Sequence, residues 1–129
     1  MFTASMQAAI ETIASLKSGH RAVAVLGDML ELGDYSGSAH RLLGQKVAAA
    51  GIDFLAATGT YRNDVVHGAR AAGMTAEQAQ AFSKKNAISE WLRELTANKT
   101  LIAGDWLLIK GSRGMQMETI IKDLEQEGG

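Results

Sequence analysis

The sequence predicts an α/β domain, a three-layer sandwich in which a mostly parallel sheet lies between two layers of helices. Short apolar segments rich in β-branched residues alternate along the chain with amphipathic segments of roughly 10 to 15 residues, the pattern of βαβ units. The chain has 129 residues, enough for one domain to bury a core without metal ions or disulfides. We therefore expect a single domain over residues 1–129.

Four segments have the composition of buried strands, being short, apolar and bounded by turn residues. The first reads RAVAVLG and the last reads DWLLIKG, while the third, AQAFS, is the weakest. A fifth strand near Thr100–Ile102 is left open. The four predicted strands cover 21–27, 53–59, 79–83 and 105–111.

Five segments between and around these strands carry apolar residues at helical spacing. Met6, Ile10 and Ile13 share one face of the first. Ser36 and Asn86 are suited to cap the second and the fourth, because their side-chain oxygens accept free N–H groups of a first helical turn. The predicted helices cover 4–17, 36–50, 62–72, 86–95 and 117–124.

Composition excludes several classes of protein. The net charge is −1 with acids and bases interspersed, which argues against a nucleic-acid or membrane-surface partner. Cysteine is absent, so disulfides and thiolate chemistry are excluded. No apolar run approaches the roughly 20 residues that a membrane span needs, and the N-terminus lacks the pattern of a signal peptide. We expect a cytoplasmic protein without membrane insertion.

In parallel sheets, ligands bind beyond the carboxyl ends of the strands. This rule selects four loops, and the first and last of them hold most of the unusual chemistry. The loops are Gly27–Tyr35, Gly59–Asn63, Ser83–Asn86 and Lys110–Gly114.

The last loop has the composition of an anion site. Lys110 ends a strand, and Gly111, Ser112, Arg113 and Gly114 open a helix, whose first turn offers free N–H groups and partial positive charge. A phosphate or carboxylate is the natural ligand for this combination. The alternative is an ordinary turn in which Ser112 caps the helix and both cations are solvated.

The first loop, GDMLELG, is acidic and apolar, and it is neither a dinucleotide-binding glycine motif nor a P-loop. Gly27 and Gly33 allow sharp backbone turns. Asp28 and Glu31 suit an ammonium group, a ribose hydroxyl or a water-bridged Mg²⁺. In the structural alternative, Asp28 caps a single turn and the apolar residues close the end of the sheet.

His40 lies one turn into the following helix. It is interpreted either as a hydrogen-bond donor to a ligand in the cleft or as a structural helix histidine. No two histidines have the spacing of metal ligands, and with no cysteine present we predict no metal site in the chain.

These segments together resemble a known family. The pattern L-G-D-M-x-E-L-G is matched at 26–33, S-x-x-x-H at Ser36 and His40, and V-K-G-S-R at 109–113, with Ile109 in place of the valine. The chain is similar over nearly its whole length to the C-terminal domain of the Mur ligases. The similarity is greatest to the members that add D-alanyl-D-alanine to UDP-N-acetylmuramoyl-tripeptide.

The resemblance implies a Rossmann-like fold and a role in an ATP-dependent peptide ligase of peptidoglycan synthesis. Its substrates would be UDP-N-acetylmuramoyl-tripeptide, D-alanyl-D-alanine and ATP with Mg²⁺, bound together with a sugar-nucleotide domain and a central ATPase domain. These 129 residues contain neither the sugar-nucleotide domain nor the central ATPase domain, and they contain no P-loop. We therefore expect the third domain of a ligase expressed alone, with Met1 as an artificial start, without bound cofactor and without turnover.

Charge and position at the strand ends indicate which residues line the cleft, although none is expected to be catalytic and the sequence does not assign loops to ATP or dipeptide. The expected substrate or nucleotide contacts are Asp28, Glu31, His40, Lys110, Ser112 and Arg113, with backbone turns at Gly27, Gly33, Gly111 and Gly114. A stand-alone anion- or nucleotide-binding module is the alternative. A receiver-type regulatory domain fits less well, because the third strand is not followed by an aspartate.

Overall fold

The computed structural model describes residues 4–29, 36–111 and 115–128, which alternate between helix and strand. The helices are α1 (Ala4–Leu16), α2 (Ser36–Ala49), α3 (Arg62–Ala71), α4 (Lys85–Ala97) and α5 (Thr119–Gly128). The strands are β1 (Ala22–Leu26), β2 (Phe54–Thr58), β3 (Ala79–Phe82) and β4 (Trp106–Lys110).

The strands of the described residues form one parallel sheet in the order β3-β2-β1-β4. β1 is central: Val25 pairs with Ala56 of β2 on one side and with Ile109 of β4 on the other. The predicted α/β class is confirmed. The sheet was expected to be mostly parallel, and each strand pair among the described residues is parallel.

Helices cover both faces of this sheet, as a three-layer sandwich requires. In β1, Ala22, Ala24 and Leu26 face the core formed with α1, α2 and α3, whereas Val23 and Val25 face the core formed with α4 and α5. All five residues are buried, because a central parallel strand has no solvent face.

The structure differs from the sequence-based prediction at two places. The possible strand at Thr100–Ile102 does not form; these residues lie in a turn before β4, where the Asp105 carboxylate accepts the Ile102 N–H at 2.8 Å and the Arg21 N–H at 3.0 Å. The hydrogen bond from Ile102, reinforced by that from Arg21, lowers the pKa of Asp105. Asn86 was wrongly predicted as a cap, since it lies inside α4.

Glycines set the distance between α2 and α3. A Cβ atom on Gly44 would lie 1.9 Å from the Val65 carbonyl oxygen, and one on Gly68 would lie 1.9 Å from the Arg41 carbonyl oxygen. Neither backbone can retreat without moving a whole helix. The two helices therefore pack backbone to backbone, which fixes the start of α3 relative to α2.

We expect Gly44→Ala to destabilise the domain by about 3 kcal/mol, the upper range for overpacking, and to lower the melting temperature by about 10 °C. Gly37→Ala, also in α2, is the matched control, because its Cβ would meet Asp64 only at 3.6 Å. Since alanine favours helix over glycine, this control should melt at the same or a slightly higher temperature. Equal melting temperatures for the two variants in thermal denaturation would contradict the close packing.

Candidate functional site

The order of the strands creates a switch point between β1 and β4. The chain builds β1, β2 and β3 outward in one direction and then crosses back to place β4 on the other side of β1. Loops that leave neighbouring strands at such a point diverge and open a crevice, the usual ligand site in open α/β sheets. Both motif-bearing loops begin here, one after Leu26 and the other after Lys110.

The first residues of the two loops are in direct contact. The Gly27 N–H donates to the Lys110 carbonyl at 2.8 Å. A Cβ on Gly111 would lie 3.3 Å from the Gly27 Cα, and a Cβ on Gly27 would lie 2.6 Å from the Met115 sulfur. The glycines at these two positions therefore let the two loops start side by side.

Five of the ten predicted site residues lie outside the described residues, and no contact is assigned to them: Glu31, Gly33, Ser112, Arg113 and Gly114. The other five all lie at the carboxyl edge of the sheet or directly behind it: Gly27, Asp28, His40, Lys110 and Gly111.

Asp28 binds the turn that joins β2 to α3. Its Oδ2 accepts the Thr60 N–H and its Oδ1 accepts the Tyr61 N–H, each at 2.9 Å. Within the described residues, Tyr61 caps α3 without a side-chain hydrogen bond of its own, so a carboxylate from another loop serves the start of this helix. A negative charge there also complements the positive end of the helix dipole.

His40 is fully buried and uses both ring nitrogens within the chain. Its Nε2 accepts the Met29 N–H at 3.1 Å, which places the proton on Nδ1, and Nδ1 lies 2.5 Å from the Ser36 carbonyl oxygen. Its ring stacks on Tyr61 with centroids 4.5 Å apart. His40 thus holds the residues after β1 against α2 and the β2–α3 turn.

The lysines at this edge differ in what they contact. Lys110 is half-buried, and no hydrogen bond or ion pair from the described residues holds its ammonium group. Lys85 instead donates to the Met115 carbonyl at 2.6 Å and to the Gln116 carbonyl at 3.2 Å. The Met115 sulfur in turn accepts the Asp28 N–H at 3.0 Å, so this methionine joins the two motif loops and α4.

A cleft of about 550 Å³ opens beside these loops, above the ends of β2 and β3. Its cationic lining consists of Arg62, Lys84 and Lys85, and Asp123 is its one acidic residue among those the structure describes. Arg62 is anchored by an Nη1 hydrogen bond of 2.8 Å to the Gly59 carbonyl, which leaves other N–H groups for a ligand. The cleft is thus suited to an anion.

A second cleft of about 540 Å³ lies at the opposite end of the sheet, between α4 and the start of β4. It is lined mainly by apolar side chains such as Leu92, Leu101 and Leu107, and it contains none of the motif residues. The functional chemistry of the described residues is therefore concentrated at the carboxyl edge.

The sequence motifs did not single out Tyr61, Arg62, Lys84 or Met115. Tyr61 precedes α3, Arg62 is its first residue, and Lys84 precedes α4. The rule for strand ends had selected the predicted loops that contain them without assigning roles to these residues. Met115 had no signal of its own, because only the fold brings its sulfur to the Asp28 amide.

No group of three histidine, cysteine, aspartate or glutamate side chains is placed to hold a metal ion within the described ranges. Among the same residues, no helix is long and apolar enough to cross a membrane.

This geometry defines an α/β domain whose two motif loops meet at the switch point of the sheet. Residues 3–113 match the family model of the Mur ligase C-terminal domain, described as "Mur ligase, glutamate ligase domain". The chain belongs to this family. The resemblance carried by the two motifs is thereby confirmed.

Curated relatives of the chain share the name of one particular ligase. The chain is 34% identical over 96% of its length to the UDP-N-acetylmuramoyl-tripeptide–D-alanyl-D-alanine ligase of Escherichia coli, and 37% identical over 95% of its length to that of Synechocystis. It spans about a quarter (25%) of each relative. A crystal structure of MurF from Acinetobacter baumannii matches 93% of the chain with a TM-score of 0.75 and 27% identity, and the match covers 26% of that structure.

We expect His40→Ala to destabilise the domain by about 2 to 4 kcal/mol, because it leaves the buried Met29 N–H unpaired and a cavity against Tyr61. His67→Ala, on the exposed face of α3, is the control and should change the free energy of unfolding by less than about 0.5 kcal/mol. Urea denaturation of both variants measures the difference, and equal losses would contradict the assigned role of His40.

Proposed function

We propose that this chain acts as the C-terminal domain of a cytoplasmic, ATP-dependent ligase that joins D-alanyl-D-alanine to UDP-N-acetylmuramoyl-tripeptide in peptidoglycan precursor synthesis. The observation that carries this proposal is the meeting of both family motifs at the switch point, where Gly27 contacts Lys110 and Gly111. The ligase names of the relatives and the quarter of their length that the chain covers support it.

The chemistry implied by the family has two steps. ATP phosphorylates the terminal carboxylate of the tripeptide and leaves as ADP; the amine of D-alanyl-D-alanine then attacks the acyl carbon, and inorganic phosphate leaves as the amide forms. A C-terminal domain serves this reaction by aiming the amine, which lowers the entropic barrier, and by closing over the acyl phosphate so that water does not hydrolyse it.

Charge at the carboxyl edge fits this task. ATP, the tripeptide carboxylate and the dipeptide carboxylate are all anions. Arg62 and Lys84 line the cleft at this edge, and Lys110 ends the strand beside it. One acid of the first motif, Asp28, binds two backbone N–H groups. The negative charge of this aspartate is therefore partly offset by the backbone before an anionic substrate arrives.

Magnesium is implied by the family as the partner of ATP. The donor set described above does not fit a resident metal ion, because three suitable side chains do not come together in the described ranges. We therefore assign no step to the metal in this domain.

A second candidate function is a module that binds a small anion or nucleotide on its own. The cleft beside Arg62 and Lys84 favours this candidate, because it already exists within the single chain. The two functions differ in what the isolated chain should bind.

In the complete ligase that carries this domain, we expect Lys110→Ala and Arg113→Ala each to lower the rate of amide formation about 10- to 100-fold, the effect of losing a charge-assisted hydrogen bond. The melting temperature should stay near that of the wild type. Lys122→Ala, an exposed cation on α5, is the control and should keep the wild-type rate. Wild-type rates for both motif variants would contradict the proposed role of this turn.

For the isolated chain, we expect calorimetric titration with ATP, ADP and D-alanyl-D-alanine to give weak or no binding, because one domain supplies only part of an interdomain cleft. A dissociation constant in the micromolar range or below would favour the stand-alone module, since about 8 kcal/mol of binding energy would then come from this chain alone.

A further inference from the structure

Each oxygen of the Asp28 carboxylate accepts one backbone N–H group. Both donors belong to the turn between β2 and α3, and neither belongs to the loop that carries Asp28. This aspartate therefore connects the first family motif to a turn about 30 residues later in the chain.

That turn depends on the aspartate for its shape. Gly59 has φ +100°, a conformation that side chains rarely adopt, and a Cβ there would lie 2.7 Å from the Asp28 carboxylate atoms. The carboxylate thus occupies the space that glycine leaves open. The N–H groups of the next two residues, Thr60 and Tyr61, then point toward the carboxylate and bind it.

Arg62 is the next residue, and its guanidinium is oriented by the same turn. Its Nη1 donates to the Gly59 carbonyl at 2.8 Å, and the side chain lines the cationic cleft. A shift of Gly59 or Tyr61 would therefore move the guanidinium relative to Lys84 and the cleft.

From this arrangement we propose that Asp28 is a positioning residue, which contacts no substrate and instead holds the β2–α3 turn so that Arg62 binds an anionic substrate group in the cleft. The inference rests on the proposed function, because it assumes that the cleft receives substrate. The group is a carboxylate or a phosphate, and its source is either D-alanyl-D-alanine or ATP.

The test is a double-mutant cycle in the complete ligase. Arg62→Ala should raise the KM of one substrate, D-alanyl-D-alanine or ATP, by about tenfold or more, the effect of one lost hydrogen bond to a charged group. Asp28→Ala should raise the same KM, and Asp28→Asn should raise it less because the amide oxygen still accepts one N–H. The double variant Asp28→Ala/Arg62→Ala should match Arg62→Ala, because Asp28 acts through the arginine.

The substrate whose KM rises identifies the source of the anion. Additive effects of the two substitutions would overturn the proposal, because Asp28 would then contact substrate itself. Unchanged KM values with a lower kcat would also overturn it and leave Asp28 a purely structural residue. An inactive wild-type ligase would instead overturn the proposed function.

A second measurement needs only the isolated chain. Amide hydrogen exchange at Thr60 and Tyr61 should accelerate about tenfold or more in Asp28→Asn, since each amide loses or weakens its carboxylate acceptor. Asp64→Asn, in the first turn of α3, is the matched control and should leave both amides unchanged. Unchanged exchange at both amides in Asp28→Asn would show that Asp28 does not hold the turn, and it would overturn the proposal whatever the ligase kinetics show.

Discussion

The pairing of β4 with β1 is the constraint on which the rest of the site depends. Because the chain crosses back after β3, the last strand lies beside the first, and the Gly27 N–H meets the Lys110 carbonyl at 2.8 Å. Two motifs from opposite ends of the chain become neighbours through this pairing. The glycines that follow each strand suit this arrangement, since a Cβ at Gly111 would lie 3.3 Å from the Gly27 Cα and a Cβ at Gly27 would displace the Met115 side chain.

Several polar residues behind this edge act as scaffold for others. Asp28 and His40 use their polar atoms on backbone groups, and Lys85 binds the carbonyls that follow the last motif. Buried polar groups that are fully paired make an arrangement rigid, whereas an unpaired one costs free energy. Among the described residues, Lys110 has no such partner, and its contact with a ligand stays a prediction.

Sequence reasoning predicted the architecture because its signals are local. Apolar strands and helical spacing do not depend on distant contacts, and the rule for strand ends follows from parallel pairing alone. The strand left open at Thr100–Ile102 is instead a turn, because the Asp105 carboxylate binds the Ile102 and Arg21 N–H groups there. The bond from Ile102 spans only three residues, but the bond from Arg21 joins segments 84 residues apart, which no local pattern reports.

The sequence placed the candidate site residues near the strand ends but did not report their contacts. Asp28 and His40 lie at the carboxyl edge of the sheet and directly behind it, and their partners, the Thr60 and Met29 amides among them, depend on the tertiary arrangement of three loops. The substrate contacts expected of both residues stay predictions. The importance of Met115 follows only from its contact with the Asp28 amide. The contacts predicted for Glu31, Ser112 and Arg113 stay predictions, because these residues lie outside the described ranges.

Under the proposed function, substrates meet this domain at the carboxyl edge of its sheet. Amide hydrogen exchange of the complete ligase, with and without a non-hydrolysable ATP analogue, UDP-N-acetylmuramoyl-tripeptide and D-alanyl-D-alanine, measures where they bind. Protection should increase at 27–29, 59–62, 83–86 and 110–111, while exchange at the opposite edge, at 17–21 and 101–105, should not change. Protection confined to that opposite edge would show that substrates do not bind at the carboxyl edge.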